Sequence, residues 1–221
     1  MKIMKKSLTL VACLIMAATL FASCTEPENF IPLAYSVDGA DVNAICIEVR
    51  DRMIDISSSD DEQIHISYMA NSKEGYDVEL SDSGVLTMAS AYDKEWTDFI
   101  GIKPSDEYRR ISILLPERIL DSISISTTNE HIMIYSVVSA GVINVENNGG
   151  NIFFENLDVM NSLTLSIKNG DIRGTVKGSY DDFSISTEVK KGDCNLPEKS
   201  RGAKTLDVSC NNGDVMIDIV E

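Results

Sequence analysis

Three aspartates follow glycines at regular distances in the C-terminal half of the chain: Asp171, Asp193 and Asp214. On neighbouring strands about 4.8 Å apart, such carboxylates would repel one another, and a loosely held cation would relieve the repulsion. Solenoids that bind calcium at their turns carry aspartates in much shorter repeats than this chain does. We therefore interpret the three side chains as hydrated turn carboxylates and predict no metal site.

The chain has only two histidines, His65 and His131. His65 lies between Ile64 and Ile66, and His131 precedes Ile132, so strand alternation places both on outer faces. They are far apart in sequence, and neither has a second histidine nearby with which to share a metal ion. Both are predicted to be surface side chains.

Catalytic motifs are missing from the sequence. It contains no nucleophile elbow, phosphate-binding loop or clustered Cys–His motif, and its basic residues are scattered. A net charge of −16 excludes a general affinity for nucleic acid, which requires a basic surface. We predict no catalytic residue, no cofactor and no enzymatic activity. The alternative is a polysaccharide-processing enzyme, whose pair of carboxylates the sequence does not reveal.

Two of the five cysteines allow a disulfide. Cys194 and Cys210 occupy inward positions of neighbouring repeats, on strands that flank the same row of turns. In an oxidising compartment the two side chains can pair, whereas two buried, reduced thiols satisfy the same pattern. Cys46 lies between two isoleucines and is expected to face outward.

These residues belong to a repeat of about twenty residues. Its turns share one position, and the apolar residues recur two and four positions after it and five and seven before it. Each unit therefore predicts a strand, a tight turn and a second strand, whose apolar face must be buried by stacking. The shared position is held by Glu130, Gly150, Gly170, Gly192 and Gly213, and the residues two positions later are Ile132, Ile152, Ile172, Cys194 and Val215.

Two architectures fit this pattern. Tight turns between alternating strands are typical of antiparallel hairpins in a sandwich, and also of a β-solenoid in which each coil lies on the last. Chemically matched residues at one period over five units favour the solenoid. We predict a single all-β domain over residues 36–221, with further coils formed by the alternating segments 45–49, 54–56 and 64–68.

Residues 69–105 interrupt the repeat and are predicted to form an irregular insert or cap. Alternating residues on either side of 83–84 indicate a hairpin there. The insert also contains Tyr92, Trp96 and Phe99, which form the one candidate partner surface of aromatic side chains. Our main interpretation is that these aromatics cap an open end of the solenoid and shield unpaired strand edges.

Residues 1–23 are predicted to be a lipoprotein signal peptide. Three lysines precede an apolar run that is shorter than the roughly 20 residues needed to span a bilayer. The run ends in small residues directly before Cys24, which resembles a lipobox, with Phe21 at the usual position of leucine. Cys24 would then carry the lipid at the membrane, and residues 24–35 would be a tether.

The segments 111–116, 124–129, 166–172 and 208–215 together resemble the bacterial Toastrack family, whose members are regarded as candidate adhesins. The resemblance covers roughly residues 45–221. It implies a right-handed, β-helix-like solenoid with coils of about 20 residues, exposed outside the cytoplasm. Members are discussed as adhesins or as parts of envelope-stress systems, and the family has no known catalytic residues to carry over.

We therefore predict an exported lipoprotein, anchored to the cell envelope through lipid on Cys24, whose solenoid is a non-enzymatic binding or scaffolding surface. Its candidate partners are a cell-wall polymer or an envelope protein. An envelope-stress sensor that acts through a membrane regulator is the second hypothesis.

Overall fold

The computed structural model describes residues 29–92, 103–135 and 139–221. This part of the chain is almost entirely β-structure, with short 3-10 helices at Gly39–Asp41, Asp106–Arg109 and Tyr180–Asp182. The strands are β1 (Ile31–Asp38), β2 (Ala44–Glu48), β3 (Met53–Ser58), β4 (Gln63–Ala70), β5 (Glu74–Leu80), β6 (Val85–Tyr92), β7 (Arg110–Leu115), β8 (Ile119–Thr127), β9 (Ile132–Ile134), β10 (Ser139–Gly149), β11 (Ile152–Asn169), β12 (Ile172–Lys177), β13 (Phe183–Val189), β14 (Lys204–Asn212) and β15 (Val215–Val220).

The strands form two sheets that face each other across the core. Sheet A has the order β1, β4, β7, β3, β9, the first part of β11, β12 and β15. Sheet B has the order β5, β6, β2, β8, β10, the second part of β11, β14 and β13. A strand of sheet B, a turn and a strand of sheet A make one coil, and neighbouring coils run parallel. The predicted solenoid is confirmed, and the hairpin sandwich is wrong.

Equivalent residues of successive coils form ladders in the core. Ile152 pairs in register with Ile132 and Ile172, and Ile172 pairs with Val215. All four side chains have 0% exposure. Since single coils have only one apolar face, this stacking buries side chains that no isolated coil could cover.

The coils are not stacked in chain order at either end. The coil of β2 and β3 lies between that of β6 and β7 and that of β8 and β9. Likewise, the coil of β14 and β15 lies inside the coil that contains β13. The coil of β6 and β7 and the coil that contains β13 are therefore the outermost coils of the parallel stack.

Antiparallel strands close the end of the stack near the N-terminal part of the chain. β4 packs antiparallel to β7, and β1 packs antiparallel to β4, so the segment 64–68 is a capping strand and the prediction of a further coil there is wrong. The predicted hairpin around 83–84 is confirmed as β5 and β6. β1 begins at Ile31, within the segment expected to be a tether.

The other end is closed by the chain itself. Residues 195–203 turn back along β13, where Ile185 and Lys199 form an antiparallel bridge. The Glu198 carboxylate accepts hydrogen bonds from the backbone N–H and the hydroxyl of Thr187, at 2.9 and 3.1 Å. This carboxylate therefore satisfies an N–H group on the last strand of sheet B, an edge that would otherwise be open to pairing.

The turns require glycine because neighbouring coils touch there. Gly170 has φ +139°, and a Cβ atom on it would lie 1.8 Å from the carbonyl oxygen of Gly150. Gly213 has φ +147°, and its Cβ would lie 2.0 Å from the carbonyl oxygen of Gly170. A Cβ atom cannot lie so close to a carbonyl oxygen, so glycine is required at these turns because the backbones of neighbouring coils are in contact. In the described part of the chain, no helix is long and apolar enough to cross a membrane.

Candidate functional site

The central strands of sheet B carry short polar side chains on their outer face. Successive coils present Ser124, Asn144 and Thr164, which pair in register across β8, β10 and β11. Farther along the strands, the Ser209 hydroxyl donates to the Ser166 hydroxyl at 2.9 Å. Apolar side chains occur near the start of β8 and β10, where Ile119 is 61% and Val142 is 39% exposed.

The outer face of sheet A is different because large side chains occupy the equivalent row. Met133, Phe153, Arg173 and Met216 pair in register across β9, β11, β12 and β15. Tyr135 is 49% exposed, and its ring centroid lies 6.2 Å from that of Phe153. Sheet A therefore presents a row of aromatic and methionine side chains along the solenoid axis, in which Arg173 lies between Phe153 and Met216.

A bulge in β11 opens a shallow groove on this face. The pairing of β11 with β12 shifts between Phe154 and Leu157, and Asn156 has φ +54°. The Asn156 N–H donates to the Thr175 hydroxyl at 2.8 Å, which holds the bulge. Bulges redirect side chains and are common beside binding sites. The groove has a volume of about 510 Å³ and is lined in part by Phe153, Glu155, Asn156, Thr175, Met216 and Asp218.

The floor of the groove is set by one glycine. A Cβ atom on Gly174 would lie 2.4 Å from the ring of Phe154, which is fully buried beneath the groove. The inward position of Gly174 is thus left empty so that the larger ring of the previous coil can fill the core.

Arg173 is held at the side of the groove by two carboxylates. Its guanidinium lies 3.0 Å from the Asp171 carboxylate and 3.8 Å from that of Asp214. The pKa of Asp171 is lowered, first by the hydrogen bond from the backbone N–H of Asp214 and then by Arg173. Because Asp171 and Asp214 lie this close, the charge of Arg173 is largely compensated within the protein. On the opposite side of the groove, the Asn195 amide donates to Asp218 at 3.3 Å.

The three aspartates singled out from the sequence belong to a hydrogen-bonded ladder along the turns. Asp171 accepts from the N–H of Asp214 at 2.9 Å, and Asp214 accepts from the N–H of Asp193 at 3.0 Å. Earlier in the row, Asn151 accepts from the N–H of Asp171 at 3.0 Å. Asp171 and Asp214 are therefore structural acceptors between coils, which the sequence does not indicate because the turn spacing alone gives no bonding direction.

Each histidine has a polar partner. The His131 Nδ1 atom accepts from the N–H of Asn151 at 2.8 Å and begins the turn ladder. His65 lies on capping strand β4, where Nδ1 is 2.8 Å from the Ser36 hydroxyl and Nε2 is 3.0 Å from Asp61. Within the described residues, no three His, Cys, Asp or Glu side chains gather as they would around a metal ion.

The two cysteines lie in neighbouring coils beside the turn row. Cys210 is fully buried, and burial raises the pKa of its thiol, which lies 3.3 Å from the carbonyl oxygen of Gly213. Cys194 is paired in register with Val215, yet it is exposed because its coil is the last of the stack. Both are free thiols in this structure, so the interpretation of two buried thiols is wrong for Cys194. The disulfide stays a prediction.

Tyr92 of the candidate aromatic surface ends β6, and its hydroxyl donates to the carbonyl oxygen of Arg50 at 2.9 Å. This contact ties the end of β6 to the turn after β2. The other two members of that surface, Trp96 and Phe99, lie outside the described residues.

Two charged clusters near this end escape sequence reasoning. Arg52 and Glu74 form an ion pair with side chains only 3% and 2% exposed, and Tyr76 bonds to the same guanidinium. Burial is the main cause that raises the pKa of Tyr76 to about 12. Arg109 forms the second cluster and pairs with Glu130 and Asp106. Both clusters join segments that are distant in sequence, so no local sequence motif predicts them.

Comparison with protein families gives a match between residues 42–218 and the model of the Toastrack family, DUF4097. The chain belongs to the Toastrack family. The matched range covers the coils of both sheets, and so the family describes the whole solenoid of this Toastrack protein. A comparison with curated proteins found no match.

Solved structures resemble this Toastrack domain in fold. A candidate cell adhesion protein from Clostridium sporogenes has 13% sequence identity and a TM-score of 0.61, with 87% of this chain and 100% of the other covered. A candidate adhesin from Bacteroides fragilis has 15% identity and a TM-score of 0.38, covering 88% and 98%. Another from Parabacteroides merdae has 14% identity and a TM-score of 0.40, covering 86% and 81%. At these identities the likeness concerns architecture alone.

Proposed function

We propose that this Toastrack protein is an exported lipoprotein whose solenoid is a non-enzymatic surface for binding a partner in the cell envelope. The observation that carries the proposal is the contrast between the two faces in the described part of the chain. Sheet A carries Met133, Phe153 and Met216 in one row at a groove, whereas the equivalent row of sheet B is short and polar. Exposed aromatics and methionines are typical of binding surfaces. The adhesin descriptions of similar structures are consistent with this role.

The groove does not resemble the active site of a glycoside hydrolase. Glu155 and Asp218 are both exposed on an open face. Hydrolases of this kind pair carboxylates in two different environments, one of them apolar. Arg173, the cation nearest to the groove, is already paired with Asp171 and Asp214. These features support binding rather than catalysis.

The proposed anchor constrains where the domain lies. Six residues lie between Cys24 and Ile31, the first residue of β1, so the chain takes seven steps from one to the other. At no more than about 3.5 Å per residue, the lipid would keep the start of β1 within roughly 25 Å of the membrane surface. β1 lies at the end of the stack that β1 and β4 cap, whereas the groove lies on β11, β12 and β15. The groove would therefore be held farther from the membrane than β1.

The anchor is tested by metabolic labelling of the expressed full chain with a radioactive fatty acid. We expect label on the wild-type protein and on a Cys46→Ala control, and loss of label and of membrane association in Cys24→Ala. Labelling that persists in Cys24→Ala would contradict the anchor.

The binding role is tested by sedimentation of the full chain with cell-wall material and with solubilised envelope proteins from the producing bacterium. Saturable association with either fraction is expected. Absence of association with both would overturn the proposed function.

A further inference from the structure

We propose that the groove on sheet A binds a neutral, hydroxyl-rich glycan chain. This inference deepens the proposed function and rests on it, since it names the chemical class of the partner at the same surface.

Phe153 supplies an apolar platform on an otherwise polar surface. Its side chain is partly exposed on the outer face, and the ring of Tyr135 lies tilted by 50° beside it. The negative face of an aromatic ring attracts weakly positive hydrogens, such as the C–H groups on the face of a sugar ring. Met133 lies beside Phe153 in this row and Met216 lies beyond Arg173, so the row spans three strand spacings, about 14 Å. This length suits an extended chain rather than a single small molecule.

Most polar side chains around the platform offer hydrogen-bond acceptors, and the Arg173 guanidinium, which also lines the groove, supplies donors. The carboxylates of Glu155 and Asp218 and the side chain of Asn156 line the groove. Carboxylates accept hydrogen bonds, and sugar hydroxyls provide donors in many directions. The backbone of Asn156 is fixed by its bond to Thr175, so this part of the groove is formed before any ligand arrives.

The charges favour a neutral glycan over an anionic one. The chain has a net charge of −16, and two of the carboxylates that contribute to it, those of Glu155 and Asp218, lie at the groove. Arg173 could otherwise attract a uronate or a phosphate, but Asp171 and Asp214 already neutralise it. An anionic polymer would therefore meet repulsion without a compensating cation.

The position of the groove argues against an extended peptide. Peptides commonly bind to sheets by adding a strand at an open edge, where the main chain finds hydrogen-bond partners. The groove lies on the outer face of β11, β12 and β15, and parallel ladders join β11 to β12 and β12 to β15 within it. A glycan needs only side chains and ring faces, which this surface offers.

The test measures binding of three uncharged hexasaccharides, from chitin, cellulose and xylan, to the full chain in detergent by calorimetry and saturation-transfer NMR. We expect at least one to bind, with affinity lowered about tenfold or more by Phe153→Ala. Phe153→Tyr, which keeps the platform, should retain the affinity. Thr164→Ala on the outer face of sheet B is the matched control and should bind like wild type.

Further outcomes separate this inference from the proposed function. A hexamer of galacturonic acid should bind more weakly than the neutral sugars, and tighter binding would overturn the charge argument. Failure of all neutral hexamers, or binding unchanged by Phe153→Ala in a variant with wild-type thermal stability, would overturn the glycan inference. If the chain still associates with an envelope protein and Phe153→Ala abolishes this, the proposed function stands and the glycan inference falls.

Discussion

At the scale of single residues, the turn row shows how one side chain serves two coils. Asp171 accepts a hydrogen bond from the next coil and pairs with Arg173 of its own coil. Both contacts favour the ionised carboxylate, so its pKa lies below the ordinary value. From the sequence, Asp171 can be placed in a turn after a glycine. The residue that donates to it cannot be predicted, because the neighbouring coil is that of Asp214 and not the coil that follows in the chain.

The charge on Asp171 makes a pH-dependent contribution to stability. Because its folded pKa is lowered, the contribution is present above the unfolded value near 3.9 and is lost as pH falls through the folded value. Asp171→Asn keeps an acceptor but removes the charge. We expect the variant to be less stable by about 0.5 kcal/mol at pH 6, and the difference to vanish near pH 2. Urea unfolding of both proteins at the two pH values measures this, and a constant difference would contradict the ion-pair account.

At the scale of elements, the turn row and the bulge show what a repeat can and cannot predict. The alternating columns correctly predict the inward ladders, since burial requires the same period in every coil. The bulge at Asn156 breaks that period within a single coil, and its neighbour Thr175 comes from the next coil. The groove therefore arises from a local exception to the repeat, and sequence periodicity cannot reveal it.

The glycine row offers a direct test of contact between coils. In Gly170→Ala the new Cβ would collide with the carbonyl oxygen of Gly150, and the residue would keep an unfavourable φ. We expect a loss of about 2–4 kcal/mol in the free energy of unfolding. Gly75→Ala is the control, because the nearest atom to its Cβ would be 3.8 Å away. Chemical denaturation compares the two variants, and equal stabilities would show that the coils are not in contact at the turns.

At the scale of the whole molecule, the stack is a regular interior between two irregular ends. The sequence predicts the interior well because five units share one pattern. The sequence does not predict the inverted order of the terminal coils or the capping role of β4. Both depend on which strand the chain pairs with after a connection, and the repeat does not encode that choice. The ion pair of Arg52 and Glu74 similarly joins the turn after β2 to β5 and has no local signature.

This arrangement gives sheet A and sheet B unlike outer faces. The proposed lipid is attached near the end that β1 and β4 cap, so the same stack would separate the anchor from the groove. We expect partners to bind to the outer face of sheet A.

The most direct measurement places a photoreactive amino acid at position 153 or at position 164 of the exported full chain in living cells. The two positions lie on the outer faces of sheets A and B. We expect illumination to attach envelope material to the chain from position 153 and not from position 164. Attachment from position 164 alone, or none from position 153, would contradict the account.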